Sequence, residues 1–166
     1  MSISIVPVFA ELQTFIKAKW PEFTKGYTAM QASRINWRDE TALQNLVTPF
    51  LNIRPMPLRY WEDAPFNMPA MVMPLELVYI ASTKLSTEQA ETYGTSIELV
   101  GDKCISFAID VYTEQFDSFQ LIDRPNVDFS DEMIVNSYIL NTGAPFVAGM
   151  VMMELLLTPQ TVIVEP

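Results

Sequence analysis

Six of the twelve prolines fall between Pro49 and Pro74, a window of 26 residues. Each fixes φ and removes a backbone donor, so this window cannot supply a long central strand of a sheet. It is suited to extended edge segments and turns. The chain then opens into Leu75–Ala81, where β-branched and apolar residues predict a strand. Any sheet must therefore be assembled mainly from residues beyond Pro74, with helices supplied from the N-terminal side.

On that side, Phe9, Leu12, Phe15 and Ile16 share one face of a helix expected over Val8–Lys19, with Pro7 at its start and Pro21 as its stop. Residues 22–38 have no clean period and read as an arm or long loop, and a short second helix is expected over Asp39–Val47. Ser82–Gly94 is polar and suits an exposed loop or a short helix. The alternation of Ile105, Phe107, Ile109 and Val111 predicts a hairpin of Thr95–Val100 and Lys103–Thr113 about a Gly101-Asp102 turn. Asp117–Glu132 is acidic and turn-rich around Pro125, and Met133–Asn141 is strongly apolar. Phe146–Leu157 is apolar at both parities except Glu154, so period leaves helix or strand open; the β-branched run Thr161–Val164 after it favours strands. No repeat or linker divides residues 1–166, so a single domain is expected. The fold class expected is α+β: an N-terminal helix and a short second helix on a mainly antiparallel sheet of four to six strands.

Composition removes many functions. The chain has no histidine, which excludes Ser-His-Asp and Cys-His catalysis and the commonest metal ligand. One cysteine, Cys104, excludes an internal disulfide and a cysteine-rich zinc site, and reads as a small buried hydrophobe. Five scattered glycines form neither a phosphate-binding loop nor a nucleophile elbow. The acidic stretch Asp123, Asn126, Asp128, Asp131 and Glu132 lacks the register and central glycine of a calcium loop. No cofactor and no catalytic or metal residue is expected. The N-terminus lacks a leader pattern and Phe146–Met153 is too short to span a bilayer, so an intracellular chain without membrane partners is expected.

A net charge of −10 disfavours specific nucleic-acid binding. The charge is also unevenly spread: residues 1–61 carry +3 and residues 62–166 carry −13. That split suits either a solvated acidic face or head-to-tail contact between identical subunits. Arg34, Trp37, Arg38, Arg54, Arg59, Tyr60 and Trp61 have the composition of an interface, or of aromatics covered by arginine stems. Met150 and Met152, with Glu154 between apolar neighbours, mark a strand either central to the sheet or buried by a neighbouring subunit. The candidate interface is thus Arg34, Arg38, Arg54, Arg59, Tyr60, Trp61, Met150, Met152 and Glu154.

The segment from Pro57 to Met73, with Pro69-Ala70-Met71-Val72 leading into its strand, resembles tail terminator and related neck proteins of tailed bacteriophages. Those proteins run from a helix through an irregular stretch into a Pro-Ala-hydrophobic strand, then a hairpin, a loop and a closing strand. The resemblance implies a non-enzymatic virion protein, assembled in the host cytoplasm. It would form a homo-oligomeric ring, hexameric in that family, and join tail to head through neighbouring virion proteins. The alternatives are another assembly subunit, such as a head-decoration protein or baseplate adaptor, and a small carboxylate-based enzyme or ligand-binding domain.

Overall fold

A computed structural model describes residues 3–23, 49–64, 69–129 and 146–159. In chain order these form helix α1 (Val6–Lys19), a 3-10 turn (Pro21–Phe23), strands β1 (Phe50–Pro55), β2 (Arg59–Tyr60) and β3 (Met71–Ser82), helices α2 (Thr87–Thr92) and α3 (Ser96–Thr113), and strands β4 (Gln120–Leu121), β5 (Asn126–Asp128) and β6 (Phe146–Leu157). The six strands make one sheet in the order β1-β3-β6-β4, with β2 also on β3 and β5 also on β6. Each of these pairings is antiparallel. The fold is α+β, as expected. The short helix expected over Asp39–Val47, the bulk of the 22–38 arm, Met133–Asn141 and Thr161–Val164 lie outside the described residues.

β3 and β6 are the two long strands, paired from Met71↔Leu157 to Ser82↔Phe146. Here the reading of the proline window needs correcting. β3 begins inside that window, carries Pro74, and lies centrally between β1 and β6. The sheet tolerates Pro74 because of where its missing donor points. The Pro74 carbonyl accepts the Met56 N–H at 2.8 Å. In an antiparallel strand the N and C=O of one residue face the same neighbour. The nitrogen therefore faces Met56–Leu58, the interruption between β1 and β2, and the β6 ladder loses no bond. Pro55 ends β1 and Pro57 lies in the interruption, as expected of prolines in this window.

Both long helices cover one face of this sheet. α1 buries Val8, Phe9, Leu12, Phe15 and Ile16, the expected stripe plus one residue. These pack with Leu51 and Ile53 of β1, the odd-numbered Met73–Ala81 residues of β3, and Val151, Met153, Leu155 and Leu157 of β6. Trp20, just past α1, stacks on Phe107 at 4.2 Å between ring centroids and meets Tyr79 edge-on at 5.3 Å. Its indole N–H donates to the Lys103 carbonyl at 3.3 Å, so the buried ring keeps its polar edge satisfied.

The expected hairpin is overturned: Ser96–Thr113 is one 18-residue helix. Its start is set by a capping box. The Thr95 hydroxyl accepts the Glu98 N–H at 3.2 Å, and the Glu98 carboxylate accepts the Thr95 N–H at 3.0 Å. Its buried residues Leu99, Val100, Cys104, Phe107, Ala108 and Val111 keep helical spacing. Of the four residues whose alternation suggested a strand, Phe107 and Val111 are buried while Ile105 and Ile109 face outward. A helix of period 3.6 can imitate period 2 over so short a run when its exposed face is also apolar. Gly101-Asp102 is therefore mid-helix, and Phe129 packs over Gly101. Ser82–Gly94 takes the helical option, α2, also opened by a capping box, from Ser86 and Gln89.

Polar links tie the layers at their margins. Glu11 of α1 accepts the N–H groups of Asp117 (2.6 Å) and Ser118 (2.9 Å) and the Ser118 hydroxyl. Partial burial works to raise its pKa, but these three donors outweigh it and hold the carboxyl below its ordinary value. Tyr79 donates to Glu22 at 2.7 Å; burial first, then that carboxylate, push its phenol pKa up. Glu22 also meets Lys103 at 3.1 Å.

Helix α3 and the sheet approach closely at Gly149 of β6. A Cβ there would lie 2.5 Å from a Val100 methyl and 2.6 Å from the Cys104 sulfur. Both neighbours are fully buried, so neither can swing away. Gly149→Ala is expected to destabilise the protein by about 1–3 kcal/mol, the usual cost of overpacking a tight core. Urea unfolding of the two proteins measures this, and an unchanged midpoint would show that α3 does not seat here.

Candidate assembly surfaces

Because strand side chains alternate, the residues of β3 and β6 that do not face the helices form a second face, on which Val72, Val78, Ile80 and Ala148 are buried while Glu76, Met150, Met152 and Glu154 are half-buried. Register assigns its rows. Arg54, Glu76, Met152 and Asn126 lie side by side across four strands, and Asn52, Val78, Met150 and Asp128 form the next row. Arg59 sits opposite Val72, and Glu154 opposite Pro74. This face thus gathers Arg54, Arg59, Met150, Met152 and Glu154 from segments about 100 residues apart in the chain. Ion pairs bind it: Arg59–Glu154 at 3.0 Å and Arg54–Glu76 at 3.6 Å. All four side chains keep solvent contact, so each pair contributes at most about 1 kcal/mol.

Trp61 joins this face at its end. It packs with Ala64 on a small cluster of Ala70, Val72 and Leu156, and its N–H donates to the Ala70 carbonyl at 2.9 Å. Tyr60 is different: it pairs with Met71, points to the opposite side, and is 73% exposed at the sheet margin beside exposed Leu58. Arg34 and Arg38 lie outside the described residues. Six of the nine candidate residues, Trp61 included, therefore meet on one face.

Between the β1–β2 interruption and the β4–β5 loop, this face dips into a cavity of about 550 Å³. Met56, Pro57, Pro74 and Met152 give it apolar walls, while Glu76, Asp123, Arg124 and Glu154 supply its charge. Both glutamates meet arginines. Beside it, Asn52 is fully buried, and among the described residues neither its side-chain oxygen nor its nitrogen has a hydrogen-bond partner. No sequence signal marks Asn52, which resembles any polar residue in an edge strand.

A second surface escaped sequence reasoning altogether. Ile105, Ile109 and Tyr112 form an outward stripe on α3, and with Arg124, Pro125 and Val127 they line an apolar groove. Their i, i+4, i+7 spacing was the available signal, hidden by the strand-like alternation. The Arg124 guanidinium lies 5.8 Å from the centre of the Tyr112 ring. Cys104 lies on the opposite, inner side of α3, where burial pushes its thiol up to about 12. That makes it the small core hydrophobe expected, on a helix in place of a hairpin.

A scan against family models and a search of curated proteins each return no match. Among the described residues no helix is long and apolar enough to cross a membrane. Among the described residues, α2 and α3 follow the Pro-Ala strand where the resemblance implies a hairpin.

The surroundings of Trp61 and Tyr60 separate a packed aromatic from a free one. Trp61→Ala is expected to cost about 1–3 kcal/mol of monomer stability, because it strips cover from Val72 and Leu156. Tyr60→Ala is expected to fall within about 0.5 kcal/mol of the parent. Urea unfolding of dilute protein compares them, and equal losses would contradict this placement.

Proposed function

We propose that this chain is a non-enzymatic structural protein of a tailed-phage virion, a ring-forming tail terminator or neck component that joins tail to head. The observation that carries the reading is the convergence of Arg54, Arg59, Trp61, Met150, Met152 and Glu154 on one sheet face. Arginine, tryptophan and methionine are the side chains enriched where proteins meet. The Pro57–Met73 segment and the helix ahead of it support the phage assignment, while the helical α2–α3 region departs from that family's order. Such a protein works by shape and charge complementarity, with copies of itself and with neighbouring virion proteins, and needs no cofactor. A head-decoration protein or baseplate adaptor would use the same surfaces with other neighbours.

A second reading rests on the cavity lined by Glu76, Asp123 and Glu154. Carboxylates in a concave site can do acid–base work or hold a ligand. Glu76 and Glu154 are each already engaged by an arginine, Arg54 and Arg59, which weighs against this reading.

Light scattering of purified protein across concentration, with negative-stain imaging, tests the main reading. The expected result is a mass that climbs in multiples of 18.9 kDa and rings in the micrographs. A monomer at every concentration, together with virions lacking any ring of this protein, would overturn it.

A further inference from the structure

We propose that the groove between α3 and the β4–β5 loop is the acceptor half of a head-to-tail contact, occupied by the basic stretch 24–38 of a second copy. This rests on the assembly reading and names the surfaces that would build it. The groove is about 400 Å³, and Ile105, Ala108, Ile109, Tyr112, Pro125 and Val127 form its apolar lining. Ile109 is 59% exposed and Tyr112 50% exposed, and Ile122 nearby is also partly open to water. A stripe of large apolar side chains on a helix already packed on its other side is surface that a partner can desolvate.

Charge decides which partner. Asp102 lies on the stripe one turn before Ile105, and Glu114 and Asp117 line an adjoining depression that shares Tyr112. Asp123 and Asp128 flank the Arg124–Val127 wall. Against these acids, the cation that the described residues place in the groove is Arg124. Two copies meeting α3 to α3 about a two-fold axis would bring acid against acid around the apolar centre. That is unfavourable, so a self-complementary dimer is the wrong geometry. The groove suits a segment that alternates apolar side chains with cations.

The chain carries such a segment. Residues 24–38 contain Lys25, Arg34 and Arg38 and no acid, in a protein of net charge −10. The same stretch supplies Tyr27, Met30, Ile35 and Trp37. Its two flanks are anchored on β3, at the centre of the sheet, and on β1, at the margin away from the groove. Phe23 packs against Tyr79 of β3, and Phe50 pairs with Ile80 of β3 at the β1 margin. The groove lies beyond β6, at the opposite margin. A donor segment and an acceptor groove that are different parts of one chain repeat head to tail, which generates a ring or a filament.

Complementary disabled variants test this. Ile105→Gln/Ile109→Gln removes the apolar groove without adding charge, at two exposed positions, and its melting curve should match the parent. Arg34→Glu/Arg38→Glu disables the donor. In sedimentation velocity each variant alone should associate at least about 20-fold more weakly than wild type. Mixed one to one, they should form a dimer and stop, because each retains one working half. A fluorescent peptide of residues 24–38 should bind wild type and not the groove variant, and should release as salt rises. Wild-type association that persists undiminished in the groove variant overturns the inference and leaves the ring-forming reading intact. So does a mixture that yields no dimer, or a peptide that binds both proteins alike. A wild type that stays monomeric while the peptide binds only the intact groove supports the groove–segment match and, if virions also lack a ring of this protein, sinks the ring-forming reading.

Discussion

Twelve consecutive pairings between β3 and β6 fix the frame on which the other elements depend. Neither strand could stand alone, since each carries large apolar side chains on both faces. Paired, they present one continuous face on which α1 and α3 close, and the seat for α3 is made by the absence of a side chain at Gly149. The flanking strands are short, and each margin is interrupted by a proline, Pro57 on one side and Pro125 on the other. Such broken margins resist indiscriminate strand pairing between molecules.

How much of this could be read from the residues depended on which elements had a rival explanation. α1 had none: Phe9, Leu12, Phe15 and Ile16 fit one period, and prolines mark both ends. β6 was ambiguous, since a run apolar at both parities fits helix or strand by period, and only the β-branched residues after it leaned towards a strand. α3 was misread because its outward residues are isoleucines, and Ile105, Phe107, Ile109 and Val111 mimic alternation. The Thr95-x-x-Glu98 capping box was the better signal there, being a local hydrogen-bond arrangement that needs no tertiary help. Pro74 was misjudged for a different reason. Its cost depends on which neighbour its nitrogen faces, and only the register reveals that.

The candidate surface was legible as composition and not as geometry. Arg54 and Arg59 stood out beside aromatics, and Met150, Met152 and Glu154 stood out in their own strand, with nothing to say that they meet. Antiparallel pairing of β3 between β1–β2 and β6 brings them to one face, where Arg59 reaches Glu154. The same geometry divides the aromatics, making Trp61 part of a small core and leaving Tyr60 in solvent. The α3 groove was invisible for the reason α3 itself was, since an outward stripe has no meaning until the helix is known.

Native-state hydrogen exchange resolved by residue tests the central claim most directly, because the β3–β6 ladder should open only when the whole protein unfolds. The slowest amides are expected within Leu75–Ile80 and Ala148–Leu155, with those of β2 and β4 exchanging far sooner through local fraying. If amides of β3 and β6 exchange as fast as those at Arg59–Tyr60 and Gln120–Leu121, the ladder is not the frame of this fold.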